Sequence, residues 1–388
     1  MLRFLTAGES HGRALVVVVE GLPAGLELTT GHVQRELARR RLGYGRGPRM
    51  KFEQDEITLL GGVRHGRTLG SPLAIEIGNT EWQRSDKWHE EMSPDPGFET
   101  QARLTEPRPG HADLAGMQKY GHADARNVLE RASARETAAR VAAGAAAKQL
   151  LRQLDIDVLS HTVQMGSAKA KADHRPAPHD LGHVDENEVR CFDDEASERM
   201  VEQIKQAAKA GDSLGGATEV LAYGVPVGLG SHVHWDRKLD AALAQALMSI
   251  QAVKAVEIGD GIDVAGRRGS QAHDPIVWDT TTKEYRRETD FAGGIEGGIS
   301  TGGLLAARAY MKPLATLNRP TLKTVDVDTK EETVSFKERT DVTAVPALGV
   351  VAETMVALVL AGEALRKFGG DSIDELVRNR DAFIAGLA

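Results

Sequence analysis

Residues 106–114, EPRPGHADL, place an arginine and a histidine in a stretch whose backbone is tightly restricted. Two prolines preset φ angles there, and Gly110 permits a left-handed conformation that other residues rarely adopt. A side chain that must meet a reacting atom benefits from such restriction, whereas a simple connecting loop does not need it. We therefore interpret Arg108 and His111 as candidate site residues, with a stiff surface turn as the alternative.

A second histidine follows a serine in residues 8–12, GESHG. The spacing matches the nucleophile elbow of serine hydrolases, which would make Ser10 a nucleophile. An elbow needs a helix directly after it, but the segment ALVVVVE that follows is β-branched and favours a strand. We therefore expect no hydrolase site and keep His11 as a candidate, with a structural histidine as the alternative.

Residues 130–140, ERASARETAAR, indicate the start of a helix with cations at its N-terminal end. Ser133 and Glu136 have the spacing of a capping box, in which each side chain bonds the backbone of the other residue. Arg131 and Arg135 flank this start, where positive charge opposes the helix dipole. An anion held between them would explain the placement, and solvated surface arginines are the alternative.

A run of arginines in residues 34–50 points to an anionic partner. Its members are Arg35, Arg39, Arg40, Arg41, Arg46 and Arg49. The first four suit the C-terminal end of a helix, but Arg46 and Arg49 follow in a Gly/Pro loop. Arg339 and Asp341 similarly precede an apolar segment. A net charge of −8 and the lack of interleaved aromatics argue against nucleic acid, so a small molecule with several negative charges is the expected partner.

The composition narrows the class of protein further. The chain has 388 residues and a single cysteine, Cys191, which excludes an intrachain disulfide and fits a reducing cytoplasm. We expect no signal peptide, and no apolar run long enough to span a membrane. No metal site is expected, because the histidines at 174, 179 and 183 lack acidic or cysteine ligands at a suitable spacing.

The pattern of apolar residues predicts an unusual position for two helices. Residues 134–151 and 345–365 are apolar or small nearly all the way round, which indicates helices covered on several sides. Glu353 and Glu363 interrupt the second and count against a membrane span. We therefore expect an α+β fold with helices sandwiched between layers of sheet. Residues 166–190 are polar and are expected to form a linker or an insertion.

Eight stretches together resemble the chorismate synthase family, in the order in which that family has them. They are TAGESHG, RRRLGYGRGPRM, RPGHADL, LERASARETAARVA, GDGI, GGIEGGIS, MKPLATL and ERTDVTAVPA, and they extend over essentially the whole chain. The resemblance implies one domain over 1–388, a β-α-β sandwich with two antiparallel sheets, a homotetramer and a cytoplasmic location. It also implies a lyase that removes phosphate and the C6 hydrogen from 5-enolpyruvylshikimate 3-phosphate, giving chorismate with the help of reduced FMN (FMNH2).

The resemblance assigns roles to individual residues. It implies that the family's two histidines correspond to His11 and His111, and that Asp341 lies close to the flavin ring. We hypothesise that His11 protonates the departing phosphate, that His111 protonates the reduced flavin, and that Asp341 assists hydrogen transfer. The implied substrate-binding residues are Arg40, Arg49, Arg108, Arg135 and Arg339. The implied cofactor contacts are Arg40 and Arg46 for NADP, and Arg131, Ala132, Ser133, Gln251, Ala252, Gly297, Lys312, Pro313, Leu314, Ala315, Thr316 and Arg339 for FMN.

Two stretches depart from the family pattern, and two other functions remain open. Many relatives have Ser/Thr-Asn-Gly where this chain has Ser300, Thr301 and Gly302, and serine is frequent at Ala132. An NADPH-dependent flavin reductase is the alternative enzyme, and RNA binding through residues 35–49 is the non-enzymatic alternative. Whether the chain reduces its own flavin with NADPH is open, and the lack of a long extra segment favours an external flavin reductase.

Overall fold

A computed structural model describes residues 2–46, 55–98, 102–336 and 340–387. The strands are β1 Arg3–Ala7, β2 Ala14–Glu20, β3 Ile57–Gly61, β4 Val63–Arg64, β5 Arg67–Thr68, β6 Leu73–Gly78, β7 Asp157–Met165, β8 Ala168–Lys169, β9 Gly216–Tyr223, β10 Val253–Ile258, β11 Ile276–Asp279, β12 Glu284–Arg287, β13 Ile295–Glu296, β14 Ile299–Ser300, β15 Leu305–Met311, β16 Lys323–Val325 and β17 Glu332–Val334. The α-helices are α1 Thr30–Arg40, α2 Thr80–Gln83, α3 Asp86–Glu91, α4 Asp113–Tyr120, α5 Arg126–Ala132, α6 Thr137–Arg152, α7 Leu181–Glu186, α8 Asp194–Ala210, α9 Leu239–Met248, α10 Ile262–Ala265, α11 Val345–Phe368 and α12 Ile373–Ala385.

The N-terminal strands form a four-stranded antiparallel sheet in the order β1-β2-β6-β3. Its β-branched sequence favours this structure, since such side chains pack well on a pleated surface. In β2, the alternation of a strand turns Leu15, Val17 and Val19 into the core. β1 and β2 are joined by the turn that carries residues 8–12, so the sheet places His11 at its edge.

A second antiparallel sheet has five strands in the order β10-β15-β9-β7-β8. Its central strand, β9, is buried along almost its whole length. One face of β9 packs on α11, and the other carries Glu219, to which Arg175 donates two hydrogen bonds of 3.0 and 3.1 Å. Arg175 belongs to residues 166–190, which contain β8 and α7 and pack on this sheet.

α6 and α11 lie between the two sheets and pack on each other. α6 contacts β2 and β6 of the first sheet, whereas α11 contacts β7 and β9 of the second. Their approach requires a glycine, because a Cβ added at Gly144 would lie 2.2 Å from Cβ of Thr354. The expected α+β class, with helices sandwiched between sheets, is confirmed.

A buried ion network around Glu353 connects the helices between the sheets to each other and to the second sheet. The side chain of Glu353 is 0% exposed. Its carboxylate accepts hydrogen bonds from Arg39 (2.6 and 2.9 Å), Lys148 (2.8 Å), Arg190 (3.1 Å) and Ser160 (2.7 Å). Burial alone would raise the pKa of Glu353, but the three cations hold that pKa well below its usual range. The network joins α1, α6, α11 and β7, so Arg39 has a structural role.

The expectation about apolar runs needs one correction. α11 is long and apolar enough to cross a membrane, with a mean hydropathy of 1.9 over 18 residues. However, 89% of that window is buried inside the protein. The same composition that suits a lipid environment is used here to fill the space between two sheets.

Candidate active site

His11 lies in the turn between β1 and β2 and is surrounded by groups from later in the chain. Its Nδ1 lies 2.9 Å from Oε1 of Glu130, and its Nε2 lies 3.2 Å from Oε2 of Glu81. The indole of Trp88 stacks on the imidazole with ring centroids 4.0 Å apart. Two carboxylates and an aromatic face therefore fix the position and the plane of this ring.

Ser10 connects His11 to the segment that begins α6. The Ser10 backbone N–H donates to the carbonyl of Glu130 at 3.0 Å, and the Ser133 hydroxyl donates to Oγ of Ser10 at 3.2 Å. After Ser10 the chain enters β2 rather than a helix, so the geometry of a nucleophile elbow is not present.

The predicted capping box at Ser133 is wrong. The Ser133 hydroxyl accepts the N–H of Arg135 at 3.3 Å, at the start of a short 3₁₀ turn, Ala134–Glu136. The Glu136 carboxylate instead accepts hydrogen bonds from Thr6 (2.7 Å), Arg140 (2.8 Å) and Gln251 (3.0 Å). The sequence pattern missed these side-chain donors, two of which come from distant segments, and they compete with the local backbone for the carboxylate.

The two arginines at this helix start reach different strands. Arg131 donates to the carbonyls of Gly8 and Thr6, both at 2.9 Å, near the end of β1. Arg135 is buried, donates to Asn79 Oδ1 at 2.9 Å, and forms an ion pair with Asp55. Because Asp55 supplies a negative charge, the placement of Arg135 can be explained without a bound anion.

Arg108 and His111 share a fully buried carboxylate, that of Asp113. Nε of Arg108 donates to Oδ2 of Asp113 at 2.8 Å, and Nδ1 of His111 contacts Oδ1. Burial alone would raise the pKa of Asp113, but the bonds from His111 and Arg108 lower that pKa well below its usual range. Gly110, between them, has φ +78°, which confirms the left-handed conformation expected there.

The segment 312–316 joins this loop to a second part of the site. Nζ of Lys312 donates to the carbonyl of Gly110, and the hydroxyl of Thr316 accepts from Nη1 of Arg108 at 3.2 Å. The Lys312 backbone N–H donates to the carbonyl of Ala252 at 3.0 Å. Burial and the nearby Lys254 lower the pKa of Lys312.

Gln251 and Ala252 form a strained turn beside the start of α6. Ala252 has φ +67°, a left-handed conformation that costs energy for a residue with a side chain. Nε2 of Gln251 donates to Glu136, whereas its Oε1 is buried without a hydrogen-bond partner among the described residues. A buried acceptor of this kind is costly unless a ligand supplies a donor.

Three more predicted residues come from the end of α1, the loop after it and the segment before α11, and these are Arg40, Arg46 and Asp341. Nε of Arg40 donates to the Thr137 hydroxyl at 3.0 Å, and its Nη2 donates to the carbonyl of Ala134 at 3.2 Å. Nε of Arg46 lies 2.9 Å from Oδ2 of Asp341.

Hydrogen bonds connect the Asp341 segment to residues 312–316. The Val342 N–H donates to the carbonyl of Gly45, and Leu214 N–H donates to the carbonyl of Val342, both at 2.8 Å. The neighbouring Ser213 hydroxyl donates to the carbonyl of Leu314, also at 2.8 Å. Asp341 therefore belongs to a segment that is tied to the Lys312–Thr316 region.

Most of the predicted site residues thus belong to one connected group. Bonded contacts lead from Gly110, the residue before His111, through Lys312, Ala252 and Gln251 to Glu136. Glu136 also accepts from the Thr6 hydroxyl, to which Arg131 donates. Ala132, Pro313 and Ala315 belong to the same segments. Gly297 is exposed in the turn between β13 and β14, beside the start of α9. Arg49 and Arg339 lie outside the described residues.

Sequence reasoning missed the acidic partners of this site, which are Glu81, Glu130, Asp113 and Asp55. Asp113 could have been found, because it follows His111 by two residues and stands inside the quoted motif. Glu130 begins the motif ERASARE, but its partner is 119 residues away and no local pattern marks such a pair. Trp88, which stacks on His11, comes from a segment that carried no functional pattern.

Comparison with known proteins identifies the family. The family model for chorismate synthase matches residues 2–365 of this chain. The chorismate synthases of Salinispora tropica and Thermobifida fusca are 60% and 59% identical to this chain, and each alignment covers 100% of this chain and 99% of the relative. A crystal structure of a chorismate synthase has a TM-score of 0.79 at 38% identity, covering 100% of this chain and 98% of that one. The chain therefore belongs to the chorismate synthase family, whose members are carbon–oxygen lyases that act on phosphates.

Proposed function

We propose that this chain catalyses the anti-1,4-elimination of phosphate and the C6 hydrogen from 5-enolpyruvylshikimate 3-phosphate, giving chorismate. The observation that carries the proposal is the pairing of each predicted catalytic histidine with a buried carboxylate. Glu130 holds His11 and Asp113 holds His111. Carboxylate partners of this kind orient an imidazole and fix which of its nitrogens carries hydrogen, as a positioned proton donor requires.

The charge of the proposed substrate supports the assignment of the arginines. The molecule carries a phosphate and two carboxylates, and guanidinium groups bind such anions through two hydrogen bonds at once. Arg40, Arg108 and Arg135 are buried and held by neighbours, so they would bind without first losing conformational freedom. Arg49 and Arg339 are proposed as further substrate-binding residues from the family motif alone.

The residues proposed to hold reduced FMN fit an anionic cofactor with polar ring edges. The buried Oε1 of Gln251 offers an acceptor, and Lys312 and Arg131 offer positive charge. When bound, the reduced flavin would supply electron density that weakens the allylic C–O bond. NADPH, which Arg40 and Arg46 would bind, is proposed as a possible reductant, and an external flavin reductase is the other proposed source of reduced flavin.

His11 would give a proton to an oxygen of the departing phosphate. Asp113 bonds Nδ1 of His111, so Nε2 of His111, which lies 3.5 Å from Nη2 of Arg108, would be the nitrogen that exchanges a proton. Asp341, which lies in an ion pair with Arg46, would assist the transfer of the C6 hydrogen. A homotetramer in the cytoplasm is proposed from the family alone.

The test is chorismate formation without oxygen, with chemically reduced FMN and no NADPH. The proposal predicts turnover of 5-enolpyruvylshikimate 3-phosphate to chorismate and phosphate under these conditions. A flavin reductase would instead oxidise NADPH with FMN and leave the shikimate phosphate unchanged. That outcome would overturn the proposal in favour of the alternative enzyme.

A further inference from the structure

Both nitrogens of the His11 imidazole lie beside carboxylates. Nδ1 is 2.9 and 3.0 Å from the two oxygens of Glu130, and Nε2 is 3.2 Å from Oε2 of Glu81. The side chains are little exposed, at 16% for His11, 3% for Glu130 and 12% for Glu81. An ionised carboxylate only accepts hydrogen bonds, so a ring that satisfies both carries hydrogen on both nitrogens.

The surroundings of Glu130 suit a fixed support. One of its oxygens also accepts the backbone N–H of His11 at 2.9 Å, so the carboxylate holds both the ring and the main chain of the same residue. Its own backbone carbonyl accepts the N–H of Ser10 at 3.0 Å. Nη1 of Arg126, one helical turn earlier, lies 3.4 Å from its Oε1.

The surroundings of Glu81 suit a replaceable partner. Glu81 belongs to α2, a helix of four residues, and meets the opposite nitrogen of the ring. Under the proposed function a phosphate oxygen must come within hydrogen-bond distance of His11 to receive its proton. Glu130 already occupies Nδ1, so Nε2 is the nitrogen left for that oxygen. A phosphate and the Glu81 carboxylate would repel each other there.

We propose that Glu130 is a positioning residue that keeps hydrogen on Nδ1 of His11, and that Glu81 is the acceptor on Nε2 until a phosphate oxygen displaces it. The inference rests on the proposed function, in which His11 donates to the departing phosphate. In that step the Nε2–H proton passes to a phosphate oxygen as the C–O bond breaks. The ring is left neutral, with its remaining hydrogen on Nδ1 facing Glu130.

The first experiment observes the ring directly in the ligand-free enzyme. Full-length protein labelled with ¹⁵N-histidine is sedimented and its ring nitrogens are recorded by solid-state NMR, with His11→Gln used to assign the signal. At neutral pH we expect Nδ1 of His11 to be protonated. In Glu130→Gln the amide can donate to Nδ1, so the Nε2–H tautomer should become the main form. In Glu81→Gln, Nδ1 should stay protonated.

Glu130→Asp is a second variant that tests the same role if Glu130→Gln does not fold. It keeps the charge but shortens the side chain, and should give an intermediate fraction of Nδ1–H. A tautomer that is the same in wild type, Glu130→Asp and a folded Glu130→Gln would overturn the role of Glu130.

The second experiment measures the binding of inorganic phosphate to the ligand-free enzyme by calorimetry. We expect Glu81→Gln to bind phosphate about tenfold more tightly than the wild type, because a repelling charge has been removed. Glu90→Gln, an exposed change on the adjacent helix α3, should leave the affinity unchanged. Equal affinities of the wild type and Glu81→Gln would overturn the role of Glu81. Neither readout uses flavin or substrate, so failure here is distinct from failure to form chorismate.

Discussion

Nε of Arg46 lies 2.9 Å from Oδ2 of Asp341, and this ion pair joins the loop after α1 to the segment before α11. The two side chains are only 9% and 21% exposed, so solvent screens the pair weakly. The proposed function places Arg46 at the reductant and Asp341 at the flavin. Their contact means that the two roles cannot be altered independently.

Substitution of this pair should therefore give non-additive losses. We expect Asp341→Asn and Arg46→Ala each to lower kcat/KM at least about tenfold. The double variant should lose less than the product of the two single losses, because either change alone already breaks the pair. Steady-state assays without oxygen measure these losses, and Arg35→Ala, an exposed change on α1, is the control. Strictly multiplicative losses would show that the ion pair is not coupled to activity.

Replacement of Asp113 should affect both functional side chains that it holds. Asp113→Asn removes the charge that pairs with Arg108 and orients His111, so we expect kcat to fall about 10²-fold. Asp236→Asn, in an exposed 3₁₀ turn, is the matched control. The midpoint of thermal unfolding is measured for the same two variants alongside kcat. An active Asp113→Asn enzyme with unchanged stability would contradict the support assigned to this carboxylate.

Acid should weaken the second sheet through Glu219. Burial alone would raise the pKa of its carboxyl, but His161 and Arg175 lower that pKa to about 2 from an ordinary 4.5. The unfolded chain therefore takes up the proton first as the pH falls. The stabilisation is fully present above pH 4.5 and is lost towards pH 2, and it amounts to about 3 kcal/mol.

Urea unfolding at several pH values between neutral and acid tests this expectation. Glu219→Gln should be less stable than the wild type at pH 7 and should lose less further stability in acid. Glu202→Gln, exposed on α8, should follow the wild-type curve. Parallel curves for the wild type and Glu219→Gln would show that this carboxylate does not cause the acid sensitivity.

Loss of the negative charge of Glu353, at the centre of the buried ion network, should strongly lower the free energy of unfolding. Glu353→Gln leaves Arg39, Lys148 and Arg190 with an excess of buried positive charge, so we expect the free energy of unfolding to fall by about 3–5 kcal/mol. Glu363→Gln on the same helix breaks a more exposed pair with Arg366 and should cost only about 1 kcal/mol. Denaturant titration compares the two variants, and equal losses would argue against the network as a main support of the layer.

The elements whose pattern extends over several turns could be predicted from the sequence. α11 begins at Val345 as expected and continues three residues past the expected end, to Phe368, after which Gly369 takes a positive φ of +65°. α6 begins later than expected, since the first residues after Ser133 form a 3₁₀ turn. The buried character of both helices followed from composition, because neither has a polar face.

The partners of the site residues were much harder to predict. The spacing of His111 and Asp113 is local, whereas the contacts of Glu130 with His11 and of Glu353 with Arg39 join residues far apart in sequence. Such pairs depend on the order of strands and on how layers pack, which periodicity does not determine. For the same reason the capping box at Ser133 was wrong, since the carboxylate of Glu136 accepts hydrogen bonds from Thr6 and Gln251 in two distant segments, as well as from Arg140 one helical turn later.

The most direct test of the account is chorismate formation by His11→Ala and His111→Ala without oxygen and with chemically reduced FMN. A well-placed proton donor contributes about 10²- to 10⁴-fold, so each variant should lose activity by that amount while it keeps the wild-type fold. His179→Ala, 83% exposed in a short 3₁₀ turn and not among the predicted site residues, is the control and should retain full turnover. Near wild-type turnover by both His11→Ala and His111→Ala would contradict the account.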